Sequence, residues 1–145
     1  MSLDLWNFDK DILKRSISDM PNAVLKEQGD LLTEKTDGNI YGRVMNINIK
    51  NSAVEEIGYS IATKFELVVP ALDNYVYTIL IMYSNPEKNY PVAITIGSNI
   101  EDDTDSFNPR YVCEDKKKFI DALKEILSSS DVTEIIKTLY AKSVF

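Results

Sequence analysis

The amino-acid sequence predicts an α+β fold: a four-stranded antiparallel meander with one or two helices before it and two C-terminal helices, packed on the sheet. Three observations carry this. Apolar residues recur at helical spacing from Ile12 to Leu32 and again from Phe119 to Tyr140, but alternate with period two between Tyr41 and Ile96. The alternating segments are separated by short gaps, and a parallel pair needs a crossover of about a dozen residues or more, so these strands pair antiparallel. No linker, repeat or low-complexity stretch divides the 145 residues, which form one domain, 1–145.

Within residues 1–18, Ile12, Leu13 and Ile17 fall on one side of a short helix. Asp19-Met20-Pro21-Asn22 then reads as a helix start, because proline suits the first turn. Val24, Leu25, Leu31 and Leu32 continue that helix, and Asp37-Gly38 ends it with a strong turn signal.

Four strands follow. Tyr41, Met45, Ile47 and Ile49 form an apolar face, with Asn46, Asn48 and Lys50 turned to water. Arg43 and Val44 fall on the wrong sides, so the alternation is clean only from Met45 onward. A second strand alternates Ile61, Thr63, Phe65, Leu67 and Val69 with Ala62, Lys64, Glu66 and Val68, and stops at Pro70. Tyr75–Tyr83 is apolar on both faces, which places it in the middle of the sheet. Asn85–Asn89 is a hairpin loop, and Tyr90, Val92, Ile94 and Ile96 make the fourth strand, closed by Gly97. After a polar loop over 98–110 come two helices. Phe119, Ile120, Leu123, Ile126 and Leu127 define the first. Asp131 and Glu134 resemble a capping box at the start of the second.

The chemistry is bounded mainly by what is missing. There is no histidine, which excludes Ser-His-Asp and Cys-His triads and imidazole zinc sites within the chain. The lone Cys113 makes neither an internal disulfide nor a thiolate cluster. It is read as a small buried apolar residue; the competing reading is a thiol activated by Lys116, Lys117 and Lys118. The scattered glycines form no phosphate-binding loop. No catalytic residue, metal site or cofactor is expected, and the chain is read as a non-enzyme.

A net charge of −7 argues against nucleic-acid and anionic-membrane partners, since phosphate contacts are made by lysine and arginine. The apolar runs are far short of the roughly 20 residues a membrane helix needs. Without a signal-like stretch in residues 1–10, a cytoplasmic location is expected.

Two features point to a protein partner. Glu101, Asp102, Asp103 and Asp105 concentrate four carboxylates in five positions, without the glycine and distant glutamate of an EF-hand. They are read as a solvated acidic loop suited to steering a partner with a basic surface. The first strand, with Asn46, Asn48 and Lys50 outward, is an edge candidate able to accept a partner strand. The sequence is also compatible with a homodimer.

In size, acidity and α-β-α plan the chain is similar to two groups of small bacterial proteins, with no shared motif. These are secretion chaperones, which hold an effector's extended segment, and immunity proteins, which cover a toxin's active site. The resemblance implies a bacterial accessory role; the chaperones, however, place a helix between their strands. The expected function is therefore a non-enzymatic protein–protein interaction module. The alternative is a small-molecule-binding domain whose pocket, between sheet and helices, is lined by some of the eight tyrosines.

Overall fold

The computed structural model describes residues 2–49, 58–97 and 107–145. Four α-helices and five strands are present: α1 (Lys10–Ile17), α2 (Pro21–Lys35), β1 (Tyr41–Asn48), β2 (Ile61–Val69), β3 (Tyr75–Ser84), β4 (Val92–Ile96), β5 (Tyr111–Cys113), α3 (Lys116–Leu127) and α4 (Ser130–Val144). The strands form one antiparallel sheet in the order β1-β2-β3-β4-β5. The predicted meander is present with a fifth strand added at its far edge. Three residues are too few to show an alternation, which is why β5 is invisible in the sequence.

Helix ends follow local chemistry. Pro21 opens α2. Asp115 caps α3 by accepting a hydrogen bond from the Lys118 amide at 2.9 Å. The cap of α4 is Ser129, whose hydroxyl accepts from the Val132 amide, and not Asp131. Asp131 sits in the first turn, where its charge favours the helix dipole. The turn from α2 into β1 is closed by Thr36, whose Oγ1 donates to the Ile40 carbonyl at 2.9 Å and accepts from the Ile40 amide at 3.1 Å. Gly38, at φ 79°, supplies the left-handed residue this turn needs.

The helix-covered face of the sheet holds the main core: Phe65, Leu67, Val69, Leu80, Met82, Val92, Ile94 and Cys113 against Leu25 of α2, Phe119 and Leu123 of α3, and Val132 and Leu139 of α4. The other face holds a smaller cluster of Ile49, Tyr59, Ala62, Ile81, Tyr83 and Ala93. Phe107 packs there edge-on to Tyr83, with ring centroids 4.8 Å apart.

β3 is the central strand, as its two apolar faces predict. Its alternation is broken once. Phe65 pairs with Leu80 and Glu66 with Thr78, so Ile79 is an extra residue that resets the faces. Ile81 consequently joins Tyr83 in the smaller cluster, and Leu80 and Met82 face the helices.

The reading of β1 needs a correction. Val44 pairs with Phe65 and Asn46 with Thr63, which puts Gly42, Val44 and Asn46 on the side of α2. Met45 and Ile47 lie on the opposite side, with Ile47 against the smaller cluster. The apolar residues of this strand serve the lesser core, so hydrophobicity alone selects the wrong face for the helix.

Candidate functional site

β1 is an edge strand, as expected. Asn46, expected to be free for a partner, remains solvent-accessible but is already engaged. Its side-chain carbonyl accepts hydrogen bonds from Asn22 Nδ2 of α2 at 3.1 Å and from Thr63 Oγ1 at 2.6 Å. Asn48 closes the strand, pairing with Ile61. Lys50 and the acidic residues Glu101, Asp102, Asp103 and Asp105 lie outside the described residues.

On the sheet face away from the helices, Glu66 is nearly buried and fully partnered. Its Oε1 accepts from Arg43 Nε at 3.1 Å and Nη2 at 2.9 Å, and its Oε2 accepts from Thr78 Oγ1 at 3.1 Å. An ion pair with both carboxylate oxygens hydrogen-bonded is a structural arrangement. Among the described residues no group of three or more His, Cys, Asp or Glu side chains is placed to hold a metal, and no helix is long and apolar enough to cross a membrane.

Cys113 is 2% exposed, in the core beneath α3. Burial pushes its thiol pKa up and the Asp115 charge adds to that, while Lys118 opposes both. The lysines therefore do not activate it. Tyr90 and Tyr59 phenols are pushed up mainly by burial, with Cys113 contributing to each.

The strongest surface feature is one the sequence shows only in part. α1 has an Asp9 cap, which accepts from the Ile12 amide at 2.9 Å, and no buried residue. Ile12, Leu13 and Ile17 form its apolar side, as predicted, but none of them is buried. Leu3, Leu5, Trp6 and Phe8 precede it, and all seven side chains are between 43% and 84% exposed. Lys10, Lys14 and Arg15 occupy the opposite arc.

Beside this arm is a groove of about 760 Å³ between α2 and α3, with Ala23, Val24, Glu27 and Gln28 on one wall and Lys116, Ile120, Leu123, Lys124 and Leu127 on the other, so its lining is mixed apolar and charged. A second recess of about 220 Å³, sharing Gln28 and Leu127, continues it down to Phe65 and Ile79 of the sheet and to Val132 and Ile136 of α4. Neither is lined by a tyrosine. The half-buried Tyr77, Tyr90 and Tyr111 pack against the main core instead. Leu31 in the recess and Ile120 in the groove are exposed.

Comparison with protein-family models, curated proteins and solved structures found no match.

Proposed function

We propose that the chain is a non-enzymatic protein-binding module, with α1 and the residues before it as its contact element. One observation carries this reading: seven large apolar side chains between Leu3 and Ile17 are 43–84% exposed, on an amphipathic element whose helix buries no residue. Contiguous apolar surface of this kind is rare on a self-sufficient monomer and marks interaction sites. An eight-residue helix is also too short to persist alone, since isolated helices below roughly 12–15 residues are marginal in water. Its stability must come from a surface it lies on. The acidic stretch from Glu101 to Asp105 fits the same role as a charge that steers the encounter.

The test is affinity capture from extracts of the producing cells, comparing the native chain with a Leu13→Asp, Ile17→Asp double variant. The expected result is a specific protein, or the chain itself, retained by the native form and lost by the variant, whose circular dichroism is otherwise that of the parent. Identical captures by both forms, or turnover of a substrate by the purified chain, would sink the reading.

A further inference from the structure

Apart from α1, the molecule leaves one run of binding groups unfilled, the outer edge of β1. We infer, resting on the protein-binding reading above, that this edge accepts an extended segment of a partner protein as a sixth strand of the sheet.

The main chain fixes which groups are open. Ile49 N–H donates to Ser60 O at 3.2 Å, one step beyond the pairing of Asn48 with Ile61. Bonded and unbonded pairs alternate along an antiparallel ladder. Tyr41, Arg43, Met45 and Ile47 therefore exchange bonds with β2, and the N–H and C=O groups of Gly42, Val44 and Asn46 point out of the sheet. Among the described residues no group hydrogen-bonds to them; Asn46 is engaged through its side chain alone. Donors and acceptors recurring at every second residue are matched by another extended chain, which presents its own at the same interval.

The edge is also unguarded. Natural sheets blunt their edges with short strands, lysine, proline, bulges or a covering element. β5, at the far edge, is blunted by its three residues. β1 has eight, above the roughly five or six of a usual strand. It holds no proline and no lysine, and its register with β2 runs without a shift. Its one charge, Arg43, is bound to Glu66. Among the described elements only β2 and α2 pack extensively on β1, and α2 lies over its face, where Gly29 meets Gly42.

The neighbours of the edge state the chemistry of the segment. Lys26, Asp30 and Thr33 lie on the flank of α2 opposite the groove residues Val24 and Gln28, and so overlook the open edge. Lys26 and Asp30 pair with each other at 3.0 Å, both exposed. On the other face Met45 is 37% exposed, between the half-buried Tyr41 and Ile47. The accepted segment therefore alternates, with polar side chains towards α2 and apolar ones beside Tyr41, Met45 and Ile47.

Random peptides displayed on phage and selected on the purified full chain test this, with synthetic copies of the selected peptides measured by fluorescence polarisation and hydrogen exchange. Alternating polar and apolar sequences are expected, which slow exchange at the amides of Gly42, Val44 and Asn46 and change Arg43 and Met45 little. N-methylation of single peptide amides should weaken binding about tenfold where the amide faces β1 and hardly at the next position. Asn46→Pro, which removes one outward N–H, should weaken binding about tenfold as well. That variant also loses the bonds to Asn22 and Thr63, so the N-methyl series on the parent chain decides if it unfolds. Failure to select any peptide, selected peptides that protect α1 and not β1, or N-methyl effects without alternation overturn the proposal. So does protection of these three amides by association of the chain with itself. If a protein captured through Leu13 and Ile17 leaves Gly42, Val44 and Asn46 unprotected in its complex, the added strand fails and the protein-binding reading stands.

Discussion

Gly29 of α2 and Gly42 of β1 meet backbone to backbone. A Cβ on Gly42 would lie 2.5 Å from Gly29 Cα, and one on Gly29 would lie 3.2 Å from Gly42 Cα. Two missing side chains let α2 settle directly on the edge strand, which in turn places one wall of the groove. The contact is asymmetric, and that gives a prediction. Gly42→Ala should destabilise the fold by about 2–3 kcal/mol, as overpacking against backbone does. Gly29→Ala should come out near neutral, because a gain of up to about 1 kcal/mol in helix propensity offsets a tighter contact. Urea unfolding of the two variants at matched concentration checks the order; equal effects would contradict it.

Arg43 and Glu66 yield the second prediction. The Glu66 side chain is 5% exposed and that of Arg43 40% exposed, so water screens one partner and not the other. Removing Arg43 leaves a buried charge with only Thr78 to serve it. Loss of one member of a buried pair costs roughly 3–5 kcal/mol, and the half-open Arg43 reduces that to about 2–3 kcal/mol for Arg43→Ala. Adding Glu66→Gln should recover a substantial part, since the uncompensated charge then disappears. A double variant no more stable than Arg43→Ala alone would show that Arg43 acts by packing.

Alkaline pH should weaken the native state. The Cys113 thiol, with the Tyr59 and Tyr90 phenols, has a pKa raised in the folded chain, chiefly by burial. Each is neutral when protonated, and the unfolded chain releases these protons first. Their contribution is whole below the unfolded values, about 8.5 for a thiol and about 10 for a phenol, and is lost as pH rises from there through the raised folded values. Melting temperature should therefore fall progressively above about pH 8.5. A native chain should also react with thiol reagents at pH 8 only as fast as it opens. Rapid labelling of the folded protein would contradict the burial of Cys113.

How far the sequence could be read is instructive at particular residues. Four strands, the central position of β3 and the boundaries near Pro21 and Gly38 follow from periodicity and turn chemistry, which are local. The side of β1 that meets α2 does not, because Gly42 and Asn46 are chosen for a close approach and a hydrogen bond, not for hydrophobicity. The shift at Ile79 and the short β5 depend on partners far along the chain. The apolar side of α1 was legible, but a hydrophobic stripe reads as a core face in any helix. Only the three-dimensional arrangement shows that Ile12, Leu13 and Ile17 stay exposed.

Hydrogen exchange of the backbone amides in α1, recorded on the purified chain alone and with the protein it captures, tests the central claim most directly. The account predicts little protection for residues 12–17 in the dilute chain while α2 and α3 are protected, and a clear rise for residues 12–17 once the partner is bound. Protection of α1 equal to that of α3 in the dilute monomer would contradict it, because the helix would then already have its surface within its own chain.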